Sequence, residues 1–167
     1  VHKVGKFLNK NFPTTSYCIW HSGMINEFAQ HLSGYTFILV DVERDVAESV
    51  YFNLKDEFKG VFLRPDKKLI NEVLPDFQQP IIVRYLTTES PLVKVNHIFT
   101  VSIEKMLVDI FCDMEFNFLA GSERRSIYTY AYYKYVVNES KLLRYAARKG
   151  RRQDLQQYIQ EGNFSNK

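Results

Sequence analysis

Residues 35–42 read Tyr35-Thr36-Phe37-Ile38-Leu39-Val40-Asp41-Val42. A near-continuous apolar run of this length, with one carboxylate near its end, suits a strand buried on both faces. Strands of that kind belong to sheets covered by helices, so the flanking sequence should alternate strand and helix. Upstream, residues 17–21 form a short aromatic and β-branched run that predicts a strand. Met24, Ile25, Phe28, Ala29 and Leu32 then recur at the spacing of a short helix, stopped by Gly34. Downstream, Val46, Val50, Leu54 and Phe58 mark a second helix closed by Gly60, and residues 61–63 a strand. Asp66 can cap a third helix through Leu69, Ile70, Val73 and Leu74, ended by Pro75, before a fourth strand over residues 81–86. The expected fold class is α/β: a small, mostly parallel sheet with crossover helices within residues 1–100, the crossovers right-handed.

From residue 101 the apolar period changes to that of a helix. Ser102 can cap a helix with Ile103, Met106, Leu107, Ile110 and Phe111 on one face, which places Glu104, Lys105 and Asp109 on the exposed side. Ser122 is expected to cap a helix over residues 123–137, and Asn138 one over 139–149 ended by Gly150. A last helix spans 152–161 and stops at Gly162. Residues 101–167 are thus expected to form a C-terminal helical subdomain packed on the sheet, basic near 141–152.

The chain has 167 residues, 46% hydrophobic and 25% charged, which excludes a disordered or collagen-like protein. Its 13 Phe and 11 Tyr supply enough ring area for a core. No apolar run approaches the ~20 residues that a bilayer-spanning helix needs. Without an apolar signal segment, a cytoplasmic location is expected. The first residue is Val, so a fragment or processed product of a longer chain is expected. Cys18 and Cys112 suit no zinc or redox motif and read as buried thiols. The net charge of +3 argues against a polybasic tail protein, yet residues 1–120 carry 12 basic and 15 acidic side chains while 121–167 carry 10 and 4.

Phosphate-binding glycine loops and acyl-transfer serine motifs are absent from the sequence, and His2, His21, His31 and His97 lack metal-ligand spacing. No cofactor is expected. Asp41 and Glu43 share one side at the end of a predicted strand, and Glu89 follows another. A carboxylate trio there would suit Mg²⁺-dependent nuclease or nucleotidyl-transfer chemistry; the plainer reading is wet strand ends, with Asp45 capping the next helix. Tyr128, Tyr130, Tyr132, Tyr133 and Tyr135 encircle one helix, either as core or as a stripe for a protein partner. The densest charge is Lys141, Arg144, Arg148, Lys149, Arg151 and Arg152, with no acid among residues 141–152. Lys141, Arg144 and Arg148 share a helical face, which fits phosphate-backbone contact or a solvated surface.

Three stretches together resemble one family: Cys18-Ile19-Trp20-His21 with Met24-Ile25-Asn26-Glu27-Phe28; residues 101–111, Val-Ser-Ile-Glu-Lys-Met-Leu-Val-Asp-Ile-Phe; and residues 138–146, Asn-Glu-Ser-Lys-Leu-Leu-Arg-Tyr-Ala. They are similar to the AbiEi-like antitoxins of bacterial abortive-infection, type IV toxin–antitoxin systems. That resemblance implies a protein whose N-terminal winged helix binds operator DNA and whose C-terminal domain assists repression and counteracts a nucleotidyltransferase-type toxin. Only about 16 residues precede the first predicted strand, too few for a winged helix, so the resemblance places this chain in the C-terminal portion. The expectation is a non-enzymatic antitoxin and transcriptional-regulator domain, with a metal-dependent nuclease or nucleotidyl-transfer enzyme and a protein-interaction module as the alternatives.

Overall fold

The computed structural model describes residues 1–31 and 33–166; Leu32, placed above on a helical face, and Lys167 lie outside them. The fold is mixed α/β. Strands β1 (Tyr17–His21), β2 (Ile38–Val42), β3 (Val61–Leu63) and β4 (Ile81–Tyr85) form one sheet in the order β1-β2-β4-β3. β2, β4 and β3 run parallel, and β1 lies antiparallel on the free edge of β2. All five residues of β2 are buried, as its apolar run demands. Just before it, the Phe37 N–H donates to Ser22 Oγ at 2.9 Å and the Phe37 carbonyl accepts the Ser22 N–H at 2.9 Å.

The helix expected from Met24 onward is instead a 3₁₀ segment, Ser22–Glu27. A connection between antiparallel neighbours needs no long crossover helix. Between the parallel strands, helix α2 (Ala47–Glu57) follows β2 and helix α3 (Lys67–Glu72) follows β3. Asp66 Oδ1 accepts the Leu69 N–H at 2.8 Å and caps α3, whereas Asp45 makes no capping bond to α2. One helix and two strands have no counterpart in the sequence reading. Helix α1 (His2–Asn11) buries Val4 and Leu8 one turn apart. Strands β5 (Leu92–Val95) and β6 (Ile98–Val101) form a hairpin whose turn residues, Asn96 and His97, both have positive φ (49° and 65°). Two left-handed residues are what a tight hairpin of matching twist requires.

The chain divides into two compact units that are not contiguous in sequence. The first comprises residues 1–24, 33–86 and 93–100 and holds the four-stranded sheet. Its core includes Leu8, Ile19, Val40, Leu54, Val83 and Ile98. The second comprises residues 25–32, 87–92 and 101–167. It contains α4 (Ile103–Cys112), a 3₁₀ segment at Met114–Leu119, α5 (Ser122–Lys134), α6 (Glu139–Arg148) and α7 (Arg152–Gly162). Ser122 lies inside α5 and Gly121, at φ 82°, takes the capping position with no side chain to offer. Tyr128, Tyr158 and Phe164 form a ring cluster with centroids 5.1–5.6 Å apart. Among the described residues no helix is long and apolar enough to cross a membrane.

Candidate functional site

The second unit is organised by two helix starts that share polar side chains. Ser102 Oγ accepts the Lys105 N–H at 3.3 Å and donates to Glu104 Oε2 at 2.7 Å. Glu104 Oε1 then accepts the Asn138 N–H at 3.0 Å, and Asn138 Oδ1 caps α6 by accepting the Lys141 N–H at 3.0 Å. Each helix thus gains a satisfied first turn, and Glu104 ties one to the other.

One turn further along, the two helices meet through a buried ionic cluster. Lys105 Nζ donates to Asp109 Oδ2 at 2.6 Å, and the Tyr145 hydroxyl donates to Asp109 Oδ1 at 2.9 Å. Lys149 Nζ reaches Asp109 Oδ1 at 2.8 Å and Asp113 Oδ1 at 2.5 Å. Lys105 and Asp109 are 1% and 0% exposed. The expectation that Glu104, Lys105 and Asp109 face solvent is therefore wrong. Residues 104–110 of α4 are all buried, so the helix has no wet side there. The charges are tolerated because two ammoniums meet two carboxylates with close hydrogen bonds.

α6 presents its other side outward. Leu142, Tyr145 and Ala146 are buried, while Lys141, Arg144 and Arg148 are exposed. Gly150, at φ 71°, ends the helix: its N–H donates to Ala147 O at 3.0 Å and that of Arg151 to Ala146 O at 2.9 Å. This is the reciprocal pair of a Schellman ending, which needs a left-handed residue there. Arg151 and Arg152 then open α7, both exposed.

The six cations singled out by sequence separate into three groups. Lys149 is a correction: its side chain is 14% exposed and its ammonium is bound by two carboxylates, so it belongs to the interior network. Arg148 pairs at the surface with Glu89 Oε2 at 2.5 Å, and Arg151 with Asp154 Oδ2 at 2.6 Å. The Arg148 guanidinium holds the Glu89 carboxyl below its ordinary range. Lys141, Arg144 and Arg152 have no ion-pair partner among the described residues. In the tyrosine helix, Tyr128 and Tyr132 are buried, and Tyr130, Tyr133 and Tyr135 exposed. Tyr128 donates to Leu107 O at 2.7 Å, and Tyr135 to Glu27 Oε1 at 2.8 Å beside the Lys134–Glu27 ion pair.

Of the acidic trio, Asp41 is engaged within the first unit. Asp41 is 2% exposed, and Arg84, its neighbour in register on β4, grips both its oxygens, Nε at 2.7 Å and the terminal nitrogen at 3.1 Å. Glu43 is exposed at the start of the next turn, and Glu89 belongs to the second unit. Among the described residues no group of three or more His, Cys, Asp or Glu is placed to hold a metal ion.

Sequence reasoning missed the partners rather than the motifs. Tyr145 and Asp113 follow from no local pattern, because they act across about forty residues. No curated protein and no solved structure matches the chain. The model of the family described as "Family of unknown function (DUF6577)" matches residues 1–165, and the chain belongs to that family.

Proposed function

We propose that this chain is a non-enzymatic, antitoxin-type regulatory domain that works by binding. In this reading its cationic helical face contacts the phosphate backbone of operator DNA in the full-length protein, and the protein counteracts a nucleotidyltransferase-type toxin in the bacterial cytoplasm. A small, mostly parallel sheet with crossover helices, followed by a C-terminal helical subdomain, is the scaffold this reading uses.

The observation that carries it is the two-sided character of α6. Tyr145 and, just beyond the helix end, Lys149 are spent on the buried cluster with Asp109, while Lys141 and Arg144 stand exposed with Arg152 following. The carboxylates of the buried cluster bind Lys105 and Lys149 and form no ion pair with Lys141, Arg144 or Arg152 among the described residues. The stretches that carry the family resemblance, 101–111 and 138–146, are joined by Glu104–Asn138 and Tyr145–Asp109 contacts. A lock between these two helices supports a packing role for those stretches, one that requires no chemistry on a substrate.

The test is growth rescue. The full-length protein should restore growth of cells expressing the nucleotidyltransferase-type toxin from a neighbouring gene. Rescue should persist when Asp41→Asn removes the candidate catalytic carboxylate. Failure to rescue, with the protein folded and expressed, would remove the antitoxin reading.

A further inference from the structure

Three parallel strands end at one edge of the first unit, the edge where open α/β sheets place their ligands. Arg44 follows β2, Arg64 follows β3 directly, and Arg84 and Tyr85 close β4. Arg84 is neutralised by Asp41. Arg44 and Arg64 are not neutralised: both are exposed, and neither has an ion-pair partner among the described residues. Their guanidinium carbons instead lie 4.6 Å and 4.2 Å from the centroid of the same ring, that of Tyr85. The two like charges are therefore within about 9 Å of each other, where they repel. Neighbouring acids do not relieve this by pairing. Asp66 Oδ1 is occupied as the cap of α3, and Glu43 and Asp45, exposed beside Arg44 in sequence, form no ion pair with either guanidinium.

The backbone adds a second observation. Arg64 has φ 43°, in the left-handed region where a residue with a side chain is strained and where glycine is the usual occupant. Its N–H donates to Val83 O at 2.9 Å, which prolongs the β3–β4 pairing and fixes that conformation. An arginine is thus held where a glycine would sit without strain, with its guanidinium stacked on Tyr85. Residues kept in such conformations gather at functional sites.

We infer that Arg44, Tyr85 and Arg64 form a binding site for a phosphate monoester. Both guanidiniums lie against the one ring, and a planar guanidinium can bind phosphate oxygens bidentately. A monoester carries about −1.5 to −2 charges at neutral pH, which two cations balance; a backbone diester carries only one. A free mononucleotide and the terminal phosphate of a nucleic-acid strand present the same group. The site lies in the first unit and does not depend on the cationic face of the second.

The test combines calorimetry with side-chain ¹⁵N NMR on the whole chain. Inorganic phosphate and AMP should bind saturably and shift the Arg44 and Arg64 Nε resonances, while adenosine should not. Arg64→Gly should keep or raise the melting temperature, because strain is released, yet weaken AMP binding about tenfold or more. Arg44→Gln should weaken it similarly and serves if Arg64→Gly fails to fold. Tighter binding of a 5′-phosphorylated than of a 5′-hydroxyl oligonucleotide, with the difference lost in Arg44→Gln, would support a strand end, and equal binding of the two beside saturable AMP binding a free nucleotide. Absence of phosphate and AMP binding at millimolar concentration, or undiminished AMP binding by the folded variants, would each overturn the site.

Discussion

Replacing Asp109 with alanine tests the lock between α4 and α6. The carboxylate is fully buried and accepts from Lys105 Nζ at 2.6 Å, Lys149 Nζ at 2.8 Å and the Tyr145 hydroxyl at 2.9 Å. Its removal strips a counter-charge from the ammonium of Lys105, whose side chain is 1% exposed. Lys149 suffers less, because Asp113 remains 2.5 Å from it. Removing one member of a buried ion pair costs ~3–5 kcal/mol, a large part of the ~5–15 kcal/mol that holds a domain together. At ~2–4 °C per kcal/mol for a chain of this size, the melting temperature should fall by roughly 6–20 °C. Lys105→Met combined with Asp109→Leu should recover most of the loss, because both charges leave together. Urea and thermal unfolding followed by circular dichroism at 222 nm read both effects. A loss below about 1 kcal/mol for Asp109→Ala, or a double variant less stable than the single one, would refute the view that the cluster is a charge-matched lock.

Three further outcomes are expected. Burial holds the His21 imidazole below its ordinary pKa of 6.5, and Nδ1 accepts the Gly23 N–H at 3.0 Å, so the unfolded chain takes up the proton first. Stability from this residue is full above pH 6.5 and is lost as pH falls through that value; His21→Gln should flatten the decline of the urea midpoint between about pH 7 and 5, and an unchanged slope would count against it. Cys18 is buried and burial pushes the Cys112 thiol up to about 11, so a thiol reagent at pH 8 should label neither rapidly and both after unfolding. Asn138→Ala should cost about 1 kcal/mol through the lost α6 cap, measured as a shift in urea midpoint.

What the sequence disclosed follows the range of the forces involved. Residues 38–42 and 81–83 could be read as strand because burial on both faces writes an apolar run into consecutive positions, and the edge strand 61–63, half-buried after Val61, is short but equally apolar. Asp66, Ser102 and Asn138 were legible as caps because a cap acts over three residues. Lys105 and Asp109 were misplaced because an i, i+4 ion pair looks the same on a wet helix as on one whose other side is covered. The residues that decide between the two, Tyr145 and Lys149, lie far along the chain. Lys149 was misassigned for the same reason, since nothing local separates it from Arg148. The β5–β6 hairpin escaped because Asn96-His97 lacks the glycine that usually marks such turns. The Arg44–Tyr85–Arg64 group was invisible because three strand ends converge only in the folded sheet.

The most direct measurement is the salt dependence of DNA binding. Fluorescence anisotropy of a labelled duplex, titrated with the full-length protein from about 50 to 200 mM salt, gives log K against log salt, with a slope of ~0.9 per phosphate contact. The comparison is between wild type and a variant with Lys141, Arg144 and Arg152 changed to alanine. These exposed residues have no ion-pair partner among the described residues, so the fold should be kept. The account predicts weaker binding by the variant at low salt and a slope shallower by about 2–3 units, with sequence preference unchanged. Equal affinity and equal slope for the two proteins would contradict it and leave the cationic face as a solvated surface.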